Sequence, residues 1–382
     1  MTSPRNSRPM NLPLPTVGGP RPQGLADGGS LDTTPPDLPA AHDDGSRSLV
    51  DKYGRVARDL RVSLTDRCNL RCTYCMPAEG LDWMPTEQTL SDEEMIRLIT
   101  IAVERLGIHQ VRFTGGEPLL RKSLEEIIAA TKQLTTDEGC SPSTALTTNG
   151  LGLDKRAGAL AQAGLDRVNI SLDTIDHERY ARLTRRDRLH DVLAAIDAAT
   201  AAGLTPVKIN AVVMPGVNED DVAPLAHFAL TKGAQLRFIE QMPLGPREQW
   251  RRDQMITADD ILMRLQQHFE MTPAREPRGS APAALWDAVA ADGTHGKIGI
   301  IASVSYSFCG DCDRTRLTTD GAVRNCLFGN SETSLRDLMR AGATDEQIME
   351  AWAGEMWRKL PGHGMNDEGF LQPDRPMSAI GG

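Results

Sequence analysis

Three cysteines crowd into the stretch Cys68-Asn-Leu-Arg-Cys72-Thr-Tyr-Cys75, directly behind the strand-like run Leu60-Arg-Val-Ser-Leu64. This spacing constrains the fold more than any other feature. The chain has to present one loop, at the end of one strand, with three thiols turned toward a common point. Three thiolates can cap three irons of a four-iron cube and leave the fourth iron open to a small ligand. A structural zinc site is the alternative, but zinc in that role takes four protein ligands. Three unrelated thiols fit poorly in a chain of 382 residues with only 7 cysteines.

The remaining cysteines are Cys140, Cys309, Cys312 and Cys326. An odd total in two tight groups is unlike a secreted disulfide framework. Metal-binding thiols need a reducing compartment, so a cytoplasmic setting is expected. Cys140 stands alone in a Gly-Cys-Ser-Pro loop and reads as a small side chain. A formal net charge of −10 argues against general nucleic-acid binding, while leaving room for a local basic pocket around a small anion. No run approaches the roughly 20 apolar residues of a membrane helix, and mean hydropathy is −0.34.

Residues 1–48 are rich in Pro, Gly, Ser and Asp and predict a disordered extension. Acidic residues from Asp27 to Asp44 make it unlike a transit peptide. From residue 49 strand-like runs at 60–65, 111–114, 145–148, 167–171, 207–213 and 235–240 alternate with amphipathic stretches. Ser91 with Glu94 and Ser123 with Glu126 read as capping boxes opening two helices. Further helices are expected near 154–163, 189–202, 220–231 and 259–269, and a strand from Ile298. Serial β-α units imply a parallel α/β sheet, either doubly wound or barrel-like. Past about residue 245 the rhythm fades. The expected division is a core over 49–280 and a C-terminal region over 281–382.

In parallel barrels chemistry gathers at the carboxyl ends of the strands. The cysteine loop follows the first strand, Gly115-Gly-Glu-Pro118 the second, Thr147 ends the third, Ser171 the fourth, and Met242 follows the sixth. A second trio, Cys309-x2-Cys312-x13-Cys326, encloses Arg314 and Arg316, which share a strand face at i and i+2. It predicts a second four-iron cluster, a zinc knuckle completed by His295 or His363 being the alternative. Arg61 and Arg112 lie inside apolar strand runs, where an inward cation needs an anionic partner. With Lys208 they suggest a triphosphate.

The cysteine loop, with its aromatic Tyr74, and the Gly-Gly-Glu-Pro element resemble those of the radical S-adenosylmethionine (radical SAM) superfamily. That resemblance implies a partial (β/α)6 TIM-like barrel, with SAM chelated on the open iron and cleaved to a 5′-deoxyadenosyl radical. Over residues 50–382, the C-x2-C-x-R-x-R…C group and the tail Phe370 to Gly381-Gly382 resemble the GTP 3′,8-cyclase family, the A proteins of molybdenum-cofactor biosynthesis. The family resemblance implies a lyase with two [4Fe-4S] clusters on Cys68, Cys72, Cys75 and on Cys309, Cys312, Cys326. It places SAM on Tyr74, Gly116, Ser171 and Met242, and GTP on Arg61, Arg112, Thr147, Lys208, Arg314, Thr315 and Arg316. The implied reaction removes hydrogen from C3′ of GTP and joins C3′ to C8. It also implies product hand-off to a cyclic pyranopterin monophosphate synthase, an external electron donor, a monomer or homodimer, and neither nucleic-acid nor membrane partners. One departure stands out: Gln110 lies where a phosphate-binding lysine is expected, with Arg185, Arg186 and Arg188 as candidate substitutes.

Overall fold

A computed structural model of the chain describes residues 38–245, 250–365, 367 and 370–381. Six strands run in chain order, β1 (Asp59–Ser63), β2 (Gln110–Thr114), β3 (Ser143–Thr148), β4 (Arg167–Ser171), β5 (Lys208–Val213) and β6 (Gln235–Glu240). Each is parallel to the next. Between them lie α1 (Asp92–Thr100), α2 (Leu124–Lys132), α3 (Leu153–Gln162), α4 (His177–Thr184), α5 (Leu189–Ala201) and α6 (Val222–Thr231). After β6 come α7 (Ala258–Gln266), β7 (Phe269–Pro273), β8 (Ala284–Ala290) and β9 (His295–Ile301). The C-terminal part adds β10 (Arg314–Leu317), β11 (Ala322–Arg324), β12 (Thr333–Ser334), α8 (Leu335–Arg340), α9 (Asp345–Trp357) and α10 (Met377–Ile380).

The sheet order is β12-β11-β10-β1-β2-β3-β4-β5-β6-β9-β8-β7. The β-α series is thus extended at both edges by C-terminal strands, β10 parallel to β1 and β9 parallel to β6. Residues from β10 across to β9 line a single cavity. A flat sheet would hold those edge strands about 34 Å apart, so the sheet curls around the cavity as a partial barrel. No helix among the described residues is long and apolar enough to cross a membrane.

Strand pairing sorts every side chain to one of two faces, because paired residues share a face. Leu60, Val62, Val111, Phe113, Val168, Ile170, Ile209, Leu236, Phe238, Ile298 and Ile300 are buried against the helices. The lumen face is polar: Arg61 pairs with Arg112 and Arg316, Arg112 with Ala145, Ala145 with Arg167, Asn169 with Lys208, and Asn210 with Arg237. A core of aliphatic side chains therefore holds the outer layer while a ring of polar groups faces inward.

Ser91 and Glu94 form the expected capping box at α1. Ser123 does not cap α2; its hydroxyl turns instead to Asp92, which also takes Arg121. The segment 1–37 of the anticipated disordered extension lies outside the described residues. Residues 38–48 rest on the domain: Leu38 packs on the core, and Arg47 donates its backbone N–H to the Arg105 carbonyl at 2.8 Å.

Glu240 closes the open side of this architecture. Wholly buried at the end of β6, its carboxylate accepts the backbone N–H groups of Ala258 at 2.7 Å, Val304 at 2.7 Å and Ser305 at 2.9 Å. One side chain thus ties β6 to the start of α7 and to the loop after β9. Glu240→Ala is expected to cost on the order of 3 kcal/mol by stranding these donors, read as a lowered urea midpoint by circular dichroism.

Candidate active site

The cavity, of about 320 Å³, is lined by all six cysteines of the two trios, Cys68, Cys72, Cys75, Cys309, Cys312 and Cys326. The loop after β1 is fixed by its own backbone and by its neighbours. Cys75 and Met76 donate N–H groups to the Cys72 carbonyl at 2.9 and 3.1 Å. Arg71 donates to the carbonyls of Cys68 and Leu70, and Arg185 to those of Arg71 and Met76. Burial pushes up the thiols of Cys68, Cys72 and Cys75, the last to about 12. Buried thiols at the mouth of one cavity suit a metal group that displaces their protons. Among the described residues no three His, Cys, Asp or Glu side chains close on a single metal ion. The donor set, three soft thiols with no fourth side chain, fits an iron–sulfur cube with one open corner. His295 lies exposed at the far end of β9, hydrogen-bonded to the Gly293 carbonyl. His363 lines the cavity, its Nδ1 accepting the Met365 N–H.

The glycine pair does something the sequence reading did not foresee. A Cβ on Gly115 would meet the Thr65 carbonyl oxygen at 2.4 Å, and one on Gly116 the Arg67 carbonyl oxygen at 2.3 Å. The space is taken by the backbone leading into Cys68, to which Gly116 and Glu117 also donate N–H groups. These glycines press the turn after β2 onto the cysteine loop while both still border the cavity. Glu117 locks the same corner. Its buried carboxylate accepts from the Thr148 hydroxyl, the Asn149 N–H and the Leu119 N–H, and burial lifts it to about 7. Asn149 in turn reaches Asn69 and points an N–H at Cys68 Sγ, 3.9 Å away.

Tyr74, Ser171 and Met242 border the cavity beside the first trio. The Tyr74 hydroxyl donates to Asp173, which also accepts the Val212 N–H; burial raises Asp173 to about 6. Arg61, Arg112, Thr147, Arg314 and Arg316 line the wall between the trios. Lys208 faces the same lumen by its pairing with Asn169, though outside the cavity lining. Thr315 is different. It points to the helix layer, its hydroxyl accepting the Trp352 indole N–H at 3.0 Å. The alternation that turns Arg314 and Arg316 inward turns Thr315 outward.

Arg237 was not anticipated. It lines the cavity, buried, from the middle of β6. The signal was the same one that singled out Arg61 and Arg112, a cation inside an apolar strand. Arg61, Lys208 and Arg237 make no hydrogen bond or ion pair among the described residues. On strands β1–β6 and β10, Asp59 is the one carboxylate on the lumen face. Burial would raise it, but Arg112, Arg61, Arg314 and Arg316 hold it below the carboxylate range. Burial, then Arg237, Arg167 and Arg112, push Lys208 down to about 7. Of the candidate substitutes for the lysine missing at Gln110, Arg185 braces the cysteine loop, Arg186 bonds the Arg185 carbonyl and Arg188 pairs with Asp191. The cation beside Gln110 is Arg167, donating to Gln110 Oε1 at 2.9 Å and Ser143 Oγ at 2.7 Å.

The tail enters this space. Arg316 donates to the Gly381 carbonyl. Gly381 has φ +70°, and a Cβ there would meet Thr114 Cγ2 at 2.6 Å and Ser63 Oγ at 2.7 Å.

A parallel barrel with a three-cysteine loop after its first strand, backed by a Gly-Gly-Glu-Pro turn, defines a radical SAM protein. Residues 62–229 match the Radical SAM superfamily, and residues 234–365 match Molybdenum Cofactor Synthesis C. The fold resembles the crystal structure of Streptococcus suis SuiB, with a TM-score of 0.53 at 14% identity, over 82% of this chain and 68% of that one. The chain is 71% identical over 347 residues to a GTP 3′,8-cyclase of Corynebacterium glutamicum strain R, covering 90% of this chain and 92% of the relative. It is 56% identical over 372 residues to that of Mycobacterium marinum, covering 97% and 100%. The chain belongs to the GTP 3′,8-cyclase family.

Gly116→Ala is expected to destabilise the fold by on the order of 3 kcal/mol, since backbone on both sides has to move. The same variant should hold less iron after anaerobic reconstitution, measured as iron per chain.

Proposed function

We propose that this chain is a GTP 3′,8-cyclase. It would convert GTP to (8S)-3′,8-cyclo-7,8-dihydroguanosine 5′-triphosphate, the first step of molybdenum-cofactor biosynthesis. One observation carries the reading: between two cysteine trios on one cavity stand buried cations, while the carboxylates that line it, Asp173 and Glu240, are engaged by Tyr74 and by backbone N–H groups. Buried charge without a partner is costly, and a triphosphate supplies the missing anion.

Cys68, Cys72 and Cys75 hold one [4Fe-4S] cluster and SAM; Cys309, Cys312 and Cys326 hold the other. The first cluster with SAM supplies, when bound, the hydrogen-abstracting 5′-deoxyadenosyl group. Tyr74, Gly116, Ser171 and Met242 border that end of the cavity and are assigned to SAM. Arg61, Arg112, Thr147, Arg314 and Arg316 are assigned to GTP, which they orient between the trios, a proximity effect. Thr315 is retained only through its backbone, because its hydroxyl serves Trp352. Lys208 and Arg237 extend the cationic wall toward the phosphates, and Arg167 supplies beside Gln110 the charge that glutamine lacks. The Gly381 tail narrows the space next to Arg316. None of the seven cysteines is in a disulfide, in keeping with a reducing, cytoplasmic setting; the product would pass to a cyclic pyranopterin monophosphate synthase, as the family resemblance implies.

Reconstituted protein under anaerobic conditions with dithionite, SAM and GTP should yield 5′-deoxyadenosine together with a GTP isomer of unchanged mass. SAM cleavage indifferent to GTP would remove the substrate assignment. Arg237→Ala should weaken GTP binding by roughly 10- to 100-fold, equivalent to about 1.4–2.7 kcal/mol, and leave SAM binding unaltered in calorimetry.

Lys208 gives a pH-dependent signature. Its protonated form is disfavoured by burial and by neighbouring cations, so near pH 8 it is mostly neutral. An incoming phosphate reverses that bias and draws a proton on. GTP binding at about pH 8 should therefore take up protons, seen as a dependence of binding heat on buffer ionisation enthalpy; Lys208→Met should remove the uptake.

A further inference from the structure

α9 presents three side chains on one face at the spacing i, i+3, i+7: Trp352, Glu355 and Lys359, the last just beyond its end. Each reaches a different piece of the second cysteine region. Trp352 bonds Thr315 on β10. Glu355, fully buried, accepts from Asn325 at 2.7 Å and from the hydroxyls of Ser331 and Thr333 at 3.1 Å, fixing the backbone on both sides of Cys326. Lys359 is 4% exposed. Its ammonium donates to the Cys312 carbonyl at 3.2 Å, the Arg314 carbonyl at 3.0 Å and Cys312 Sγ at 3.3 Å.

An ammonium has three N–H donors, and here all three have acceptors inside the protein. None is a carboxylate. Among the described residues no Asp or Glu oxygen is paired with Lys359, and Glu355 on the same face is taken up by Asn325, Ser331, Thr333 and Arg358. A buried cation requires an anion. The one group in contact with Lys359 that becomes anionic on binding metal is the Cys312 sulfur. Arg314 adds a second charged donor, 3.6 Å from the same sulfur. By contrast, Cys68 receives the Leu70 backbone N–H and the neutral amide of Asn149, and Cys309 a backbone N–H and the Ser307 hydroxyl.

We propose that Lys359 is the counter-charge of the second cluster. It is a positioning residue that orients Cys312 and, through a charged N–H···S hydrogen bond, draws electron density from that thiolate. Hydrogen bonds to the sulfurs and local charge are levers on cluster potential. Lys359 therefore raises the reduction potential of the second cluster and makes its open iron a better acceptor for a substrate donor atom. This rests on the second trio holding a cluster, and the test separates the two claims.

The experiment uses the full chain carrying Cys68→Ala, Cys72→Ala and Cys75→Ala, so that iron is held by the second trio alone. Iron per chain and the midpoint potential, followed by electron paramagnetic resonance, are measured with Lys359 intact and as Lys359→Met, Lys359→Gln and Lys359→Arg. A parent without iron would overturn the cluster assignment itself, and the proposal with it. With the parent loaded, Lys359→Met should shift the midpoint to more negative potential and change the resonance g-values. Lys359→Gln, which keeps an N–H but no charge, should fall between, and Lys359→Arg should lie nearest the parent. Wild-type midpoints in both the Met and Gln variants at full iron content would overturn the proposal. Iron lost from Met and Gln but kept by Arg supports a charge role; iron lost from all three, Arg included, overturns it in favour of packing alone.

Discussion

The molecule depends on a mismatch of charge inside its barrel. Strands β1–β6 and β10 place Arg61, Arg112, Arg167, Lys208, Arg237, Arg314 and Arg316 on the inward face, with Asp59 as their one carboxylate there. Burial of so much like charge is unfavourable without an anion among it, and the directions of the shifts agree: Arg61 falls well below its usual value, and Arg237 and Arg316 fall to about 10, burial being the first cause in each. The aliphatic layer between sheet and helices offsets this cost. Its residues are almost wholly buried, and apolar burial at roughly 25 cal/mol per Å² is the one term large enough to hold the cations in place. The binding site is thus a region of the fold whose local electrostatics await a ligand.

The edges of the sheet matter for the same reason. A six-stranded parallel series on its own leaves the lumen side of β1 and β6 open. The C-terminal region fills both gaps, with β10 beside β1 and β9 beside β6. β10 carries Arg314 and Arg316 into the lumen and ends the loop of the second trio. The segment matching Molybdenum Cofactor Synthesis C therefore completes the barrel wall as well as bringing cysteines. This is why the two trios line one cavity although more than 200 residues of sequence separate Cys75 from Cys309.

Much of this was legible in the sequence because it rests on short-range patterns. Cysteine spacing, strand alternation and the polar residues at strand ends are local, and the rim they predict is the rim observed. Arg237 was equally legible by alternation in Gln235-Leu-Arg-Phe-Ile-Glu240 and was passed over. Thr315 shows the converse: a contiguous Arg-Thr-Arg reads as one contact group until strand pairing divides it between two faces. The glycine pair reads as a ligand cradle, whereas its tightest neighbours are the Thr65 and Arg67 carbonyls, a contact between segments about 50 residues apart. Glu355 and Lys359 were out of reach altogether. A helix that buries an acid and a base looks like a surface helix until β10 and the Cys326 loop are set against it.

The tail is held by the same kind of long-range network. Arg375 forms a fork on Asp320, at 3.0 and 2.9 Å, and also reaches Glu332 at 2.6 Å. Glu332 is shared with Arg324 at 2.7 Å, two residues before Cys326. A half-buried bidentate pair is geometrically exacting, so the position of Gly381 against Ser63, Thr114 and Arg316 is tied through Arg375 and Arg324 to the third cysteine of the second trio. The tail's anchor and that cysteine's strand share one carboxylate. The segment that narrows the cavity and the loop that carries Cys326 are thus held by one network of charged hydrogen bonds.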